Sequence, residues 1–489
     1  MNDATPIPPR VVDSTFDTTQ PLFFEGPPDP VVYDGSPRAI RQRSVNFGAK
    51  RFADMMYVTG LDRSTAERHF RWRVLGPPGG LTSRPDVSDR EAEMITTFRA
   101  GRLTIETNDA DRRATVQWSD PAFGASLTGS AIARPGYGGI LLGSRSVPAF
   151  DPAPIARRSD PTRAWPRGDA VEPPPPPAAE LADALDVLFA NSPGIYGILI
   201  ASPDRVLAER YSAFGTPDRA TPSWSMTKAV TCTLIGRLIH DGWLGSVYDP
   251  APAPLWRDPR SIHRLITLDH LLRMRSGLAV PMIDGTGRVT IGFEGGAVYQ
   301  DAVDAFDVAQ RSVVATVPGS VYRYINAGIN VLGAIIRDRI ERRGLPYHST
   351  LYGLLADRLG MSTYQHSADC VGNFIASGSG FATLRDYAKL GVLYVQDGVW
   401  DGERLLPIGW VDYALAPTHA GSSYAACFRS NADRSFPDLP ADTAWASGAS
   451  DQRIFILRRH RLVVSVANET DHPMDLAALN RVIATVLAA

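Results

Sequence analysis

Five consecutive prolines, Pro173–Pro177, set the first limit on how this chain can fold. Proline has no amide donor and a fixed φ, so such a run enters neither a core helix nor a central strand and favours stiff polyproline II. The run ends a proline-laden stretch, 151–178, that reads as a linker between two unequal parts of the 489-residue chain. A spacer is the plain meaning of this composition, and an SH3-type ligand is the other. Ahead of it, residues 1–44 are rich in Pro and Asp and read as an extended arm. Residues 45–150 read as a small α+β domain, in which "DRSTAERHFRWRVL" has a helical pattern and "TTFRAGRLTIETNDADRRATVQW" two strands around a polar turn.

The larger part, 179–489, opens with "ELADALDVLFANS", where helical spacing puts Leu181, Leu185, Val187 and Leu188 on one side. "GIYGILIASPDRVLAERY" then reads as strand, turn and strand. In "AVTCTLIGRLIHDGWL" an apolar stripe of Val230, Leu234, Ile235, Leu238 and Ile239 predicts a helix, with Gly242 where it should stop. At the far end "QRIFILRR" and "RLVVSVANE" read as a hairpin, and "DLAALNRVIATVL" as a closing helix. Strands from both ends around a helical middle predict an α/β (α+β) fold, with an antiparallel sheet built from both termini, flanked by helices, and a helical region inserted between.

Composition removes several function classes. A formal net charge of -2 gives no reason to expect nucleic acid or an anionic membrane as partner. Three scattered cysteines make zinc and a disulfide framework poor expectations, and the nine histidines show no His-Glu-x-x-His spacing, so no metal or cofactor is predicted. Asp301, Asp304 and Asp307 are expected to form a solvated helix face. There is no apolar stretch of membrane-spanning length, and "MNDATPIPPRVVDSTFD" has no basic region followed by an apolar one; the expectation is a soluble, cytoplasmic protein. The absence of a Gly-x-Ser-x-Gly elbow disfavours an α/β-hydrolase.

The choice of basic residues is the most pointed chemical feature. Only Lys50, Lys228 and Lys389 are lysines; every other basic side chain except histidine is arginine. A desolvated lysine can give up its proton and act as a base, which arginine cannot do. Lys228 follows Ser225 by three residues in "TPSWSMTKAV", at the start of the predicted helix, so the amine can reach the hydroxyl. A serine needs a neighbouring base to become a nucleophile, and backbone N–H groups at a helix start can serve an oxyanion. The other reading is an ordinary surface cation. In "PGSVYRYINAGINVLG", Tyr324 could pass a proton to a leaving group and the Asn326 amide could hold Lys228 and a substrate carbonyl, or Tyr324 could be a core tyrosine. In "DTAWASGASDQRIFIL", Gly448 would let a substrate lie close to the strand, and Ala449 N–H could be a second oxyanion donor.

Ser-x-x-Lys, Tyr-x-Asn and a late glycine-bearing strand, in this order, resemble the beta-lactamase-like (penicillin-binding type) serine hydrolases. The stretches "HRLITLDHLLRMRSGL" (263–278) and "GSGFATLRDYAKLGVLYVQDGVWDGERLLPIGWV" (378–411) are similar to that family as well, so the resemblance covers about 180–489. It is nearest to class C-related esterases and amidases, including the aminohexanoate-dimer (nylon oligomer) hydrolases, and "GAKRFADMMYVTG" (48–60) resembles a domain that precedes the hydrolase in some bacterial members. The resemblance implies a beta-lactamase/transpeptidase-like fold and an acyl-enzyme on Ser225, with Lys228 as base and Tyr324 as proton donor. It also implies Asn326 as an orienting group, backbone N–H groups of Ser225 and Ala449 as oxyanion donors, and Tyr299 as a substrate contact. Phe293 and Glu294 lie on that same segment. Two departures matter: Asp451 stands where a Gly is usual, and Ala446 where beta-lactamases carry a cation for the substrate carboxylate, which points to a neutral amide or ester unless Arg453 or another arginine substitutes. The expected partner is a small-molecule amide or ester, with lid, homodimer contact or scaffold open as roles for the N-terminal domain. The alternatives are a DD-peptidase or beta-lactamase, and a binding module that kept the fold without turnover.

Overall fold

The computed structural model describes residues 30–75, 101–143, 160–284, 286, 289–292, 297–468 and 473–488. A short strand, β1 (Tyr33–Gly35), leads into helix α1 (Pro37–Tyr57) and then α2 (Arg63–Leu75). Ser36 caps α1 by accepting from Ala39 N–H, and Pro37 occupies the first helical turn, where a missing amide costs nothing. The extended arm expected to reach residue 44 therefore ends at this cap. Four strands follow as an antiparallel meander: β2 (Arg102–Asn108), β3 (Arg113–Asp120), β4 (Ala125–Arg134) and β5 (Gly138–Leu141). α1 lies directly on it, and a Cβ at Gly129 of β4 would meet Asn46 Cα at 2.7 Å, so only glycine allows that approach.

The proline-rich stretch is more than a spacer in its described part, 160–178. Trp165 is buried and its indole N–H donates to Arg385 O at 3.3 Å, while Asp169 Oδ1 receives Lys389 Nζ at 3.2 Å. Burial of one large aromatic ring and one ion pair anchors the stretch against the larger part.

The larger part begins with α3 (Ala179–Asn191), β6 (Ile195–Ala201), β7 (Val206–Tyr211), β8 (Thr221–Trp224) and α4 (Thr227–His240). After β9 (Leu278–Asp284), α5 (Asn326–Glu341), β10 (Gly380–Ala382) and α6 (Leu384–Val395) come β11 (Arg429–Ser430), β12 (Ala444–Gly448), β13 (Gln452–Leu457), β14 (Leu462–Asn468) and α7 (Leu476–Ala488). Six strands form one antiparallel sheet in the order β11-β12-β13-β14-β6-β7, joining the two ends of the domain as expected. Both faces are covered, and the alternation of strand side chains divides them. Ile454 and Ile456 of β13 face the core shared with α4 and α6, whereas Phe455 and Leu457 pack with Leu185, Leu188, Leu479 and Val482 of α3 and α7. Val187 does not join that stripe: two positions from Leu185 it is turned some 200° around the helix, and it is 38% exposed.

Helix α4 is buried without interruption from Thr227 to Leu238, so it is a central helix rather than one with a single apolar stripe. Gly242 (φ +69°) ends it, with Trp243 N–H donating to Leu238 O at 2.8 Å in a Schellman arrangement. The N-terminal part is joined to this domain by a parallel pairing of β1 with β9. Asp301 pairs with Arg43 of α1 at 2.8 Å, and Asp304 caps the helix Ala305–Gln310, so this aspartate group is structural rather than simply solvated. Among the described residues no helix is long and apolar enough to cross a membrane.

Candidate active site

A second, three-stranded sheet carries β8 beside β10, and the chain passes from β8 into α4 at Trp224-Ser225-Met226. Trp224 holds φ +46°, a left-handed conformation uncommon for a bulky residue, which sets Ser225 at a sharp corner. The corner is clamped from α1: Phe47 lies 6.1 Å from the indole ring and the Arg51 guanidinium 4.9 Å above it. Met226 N–H donates to Ser223 O and Lys228 N–H to Ser225 O, both at 3.0 Å, so the first turn is tight.

Lys228 is 1% exposed, and its Nζ stands 2.9 Å from Ser225 Oγ. It also donates to Ser377 O at 2.6 Å and lies 4.9 Å from the centre of the Tyr324 ring. All three lysines are buried, but their surroundings differ. Lys50 pairs with Asp54 at 2.9 Å, and Lys389 with Asp386 at 2.9 Å and Asp169 at 3.2 Å. Lys228 has no carboxylate within ion-pair distance among the described residues; its polar partners are a hydroxyl and a carbonyl.

Two residues that sequence reasoning did not single out complete this environment. The Ser377 carbonyl accepts from Lys228, its hydroxyl bonds Tyr299 OH at 2.7 Å, and its N–H donates to Asn330 Oδ1 at 3.2 Å. The strap around it is tied to α4 by Thr231 Oγ1 donating to Ala376 O at 2.7 Å and Gly380 N–H donating to Thr227 Oγ1 at 3.0 Å. A faint signal existed in the Ser-Gly-Ser-Gly run 377–380: a Cβ at Gly378 would sit 2.5 Å from Tyr299 OH. Tyr299 is thus brought to the group that holds Lys228, while Phe293 and Glu294 lie outside the described residues.

Asn326 opens α5, and its Oδ1 is buried without a hydrogen-bond partner; it does not bond Lys228. Ser377 O, 2.6 Å from Lys228 Nζ, has the place expected for it. Tyr324 is half-buried, with its ring edge-on to Tyr424 at 6.0 Å. Gly448 closes β12, but a Cβ there would meet Ser223 O at 2.1 Å, so the glycine is demanded by the backbone of β8 rather than by a substrate. That contact brings the end of β12 against the corner, and neither Ser225 nor Ala449 N–H donates to a protein acceptor among the described residues.

Both departures have physical explanations. Asp451 follows Ser450 in a left-handed turn (φ +62° and +59°), a conformation Asp tolerates better than most residues. Its carboxylate accepts from Arg453 Nη2 at 3.0 Å and from Met474 N–H at 3.0 Å, so it secures the hairpin and the approach to α7. Arg453 is thereby committed and does not stand in for a cation at Ala446, which is itself buried in the core. Among the described residues no cluster of His, Cys, Asp and Glu could hold a metal.

The family model for beta-lactamase matches residues 193–488. The chain belongs to the beta-lactamase family. It is 25% identical over 351 residues to the 6-aminohexanoate-dimer hydrolase of Paenarthrobacter ureafaciens, covering 66% of this chain and 84% of that protein. A Bacillus anthracis structure described as a 6-aminohexanoate-dimer hydrolase superposes with a TM-score of 0.54 at 17% identity, covering 68% of this chain and 90% of that one. A family VIII carboxylesterase does so with a TM-score of 0.51 at 14% identity, covering 65% and 99%. At these identities the two structures establish the shared fold of this beta-lactamase-family hydrolase domain.

Proposed function

We propose that this chain is a serine hydrolase that cleaves a small amide or ester through an acyl-enzyme on Ser225. Lys228 takes the Oγ proton as Oγ bonds the substrate carbonyl carbon, and the N–H groups of Ser225 and Ala449 receive the oxyanion. When the tetrahedral intermediate collapses, the bond to the leaving nitrogen or oxygen breaks, and Tyr324 delivers the proton that group needs while taking up the one held by Lys228, which is left neutral. Water then attacks the acyl carbon by the reverse path, with Lys228 again as base. Asn326 Oδ1, a buried acceptor without a partner, is assigned to a substrate N–H. Tyr299 acts through Ser377 as a positioning residue.

The observation that carries this reading is the buried Lys228 2.9 Å from Ser225 Oγ with no carboxylate beside it among the described residues. An amide or ester substrate is favoured by the 6-aminohexanoate-dimer hydrolase relationship and by the neutral Ala446. A p-nitrophenyl ester and a chromogenic cephalosporin, each with wild type and Ser225→Ala, provide the test. Ester turnover that falls at least about 1000-fold in Ser225→Ala supports the proposal. Cephalosporin turnover alone supports a beta-lactamase, and labelling without turnover a binding module.

A further inference from the structure

One face of α1, formed at helical spacing by Arg43, Asn46, Phe47, Lys50 and Arg51, lies against three supports of the Ser225–Lys228 pair. Asn46 Nδ2 donates to Gln300 O at 2.9 Å, beside the Tyr299 whose hydroxyl bonds Ser377, and Arg43 pairs with Asp301. Lys50 Nζ donates to Ser367 Oγ at 3.3 Å. Ser367 in turn accepts from Ile375 N–H at 3.0 Å and donates its own N–H to Ser379 O at 2.8 Å, so it ties both ends of the strap that presents Ser377 O to Lys228. From a helix fastened at these points, Phe47 and Arg51 reach the third support, Trp224, the residue before the nucleophile. Trp224 needs such a hold, because a left-handed φ at a bulky residue persists only where the surroundings over-determine it. Pairing with Gly380 fixes its backbone on one side, and the buried Arg51 guanidinium, 4.9 Å from the ring centre, draws on the negative face of the indole.

We infer that Arg51 is a positioning residue for acylation: through the Trp224 ring it keeps the corner wound and holds Ser225 Oγ within reach of Lys228 Nζ. The inference rests on the proposed function, in which that hydroxyl is the nucleophile. A ring released from the guanidinium lets Trp224 relax toward an ordinary φ, and the next residue, Ser225, is carried away from the lysine. Lys228 itself stays in place, because the Ser377 carbonyl and the burial of α4 hold it independently of Trp224. Arg51 therefore acts on the rate of the chemical step more than on substrate binding.

The test is active-site titration of the full chain with a fluorophosphonate, in which the serine oxygen displaces fluoride from phosphorus. The number of sites labelled reports how much protein is folded, and the rate constant per labelled site reports the geometry of the nucleophile. Arg51→Met keeps an apolar stem but no cation, and should lower that rate constant about tenfold or more. Arg51→Lys keeps a cation over the ring and should recover part of the loss. Phe52→Leu is the structural control: Phe52 packs edge-on against Phe70 of α2 at 5.6 Å, so it loosens α1 away from the corner. It should lower the thermal midpoint while leaving the rate constant within about twofold of wild type. Trp224→Leu should be slow as well, and adding Arg51→Met to it should cost nothing more, because the two residues act as one unit. A wild-type rate constant in Arg51→Met, an equal loss in Phe52→Leu, or additive losses in the double variant overturns the inference. No labelling of wild type, or labelling of Ser225→Ala at the wild-type rate, would instead overturn the catalytic reading.

Discussion

Replacing Gly448 by alanine should separate activity from stability in a way the geometry specifies. The added Cβ would stand 2.1 Å from Ser223 O and 3.1 Å from Gln452 Cβ, whereas real Cβ contacts below 3.0 Å are essentially never seen. Neither neighbour can yield cheaply. Ser223 O belongs to β8, which is paired with β10, and Gly448 is paired in register with Gln452 of β13. The strands must therefore part by about 1 Å, at a cost of about 1–3 kcal/mol as for other overpacked sites. That displacement falls between the nucleophile and the Ala449 N–H, and a misplacement of about 1 Å is worth about 100-fold in rate. Gly242→Ala is the matched control. No atom lies within 4 Å of its added Cβ, so only the left-handed φ of +69° opposes it, at about 1–2 kcal/mol. Thermal midpoints and p-nitrophenyl ester kcat should show both variants destabilised, with only Gly448→Ala slowed about 100-fold. Equal kcat values in the two variants would refute the placement of the oxyanion donors.

Two further outcomes follow from buried groups. Lys228→Arg keeps the charge but removes a side chain able to give up its proton, so the acylation burst should fall by at least about 100-fold; a normal burst would remove Lys228 as the base. Burial pushes the His366 imidazole down to about 3 and the Asp369 carboxyl up to about 6, and these act in opposite senses. With a depressed folded value, the stability linked to His366 is present above about 6.5 and is lost as pH falls toward 3; with a raised one, that linked to Asp369 is present below about 4 and is lost as pH rises through 6. Urea unfolding should thus show His366→Phe gaining on wild type by about 1 kcal/mol per pH unit between pH 6 and 4, and Asp369→Asn losing ground over the same range. Parallel pH profiles for all three proteins would contradict these assignments.

Local rules carried much of the fold. The two-residue alternation in β13 and β14 and the period of α4 are written in neighbouring residues, and so is the stop at Gly242. The Ser36-Pro37 cap was equally local and was masked by the surrounding prolines. The site divides along the same line. Ser225 and Lys228 are three residues apart and legible, and the scarcity of lysine drew attention to Lys228 as a possible base. Ser377 is 149 residues from the lysine it supports, and Phe47 and Arg51 reach Trp224 from α1, far away in the sequence. Contacts of that kind leave no periodicity to read. Asp451 was visible as a departure and Gly448 as a glycine for a substrate, but their reasons are a backbone amide at Met474 and a carbonyl at Ser223, which only the folded chain brings near.

The most direct measurement is intact-mass spectrometry of the protein quenched during turnover of a p-nitrophenyl ester, followed by peptide mapping. The expected result is a mass increase of one acyl group located on Ser225, absent in Ser225→Ala. Acylation mapped to another residue, or ester turnover by Ser225→Ala at the wild-type rate, would contradict the assignment of Ser225 and Lys228 as the acylation centre.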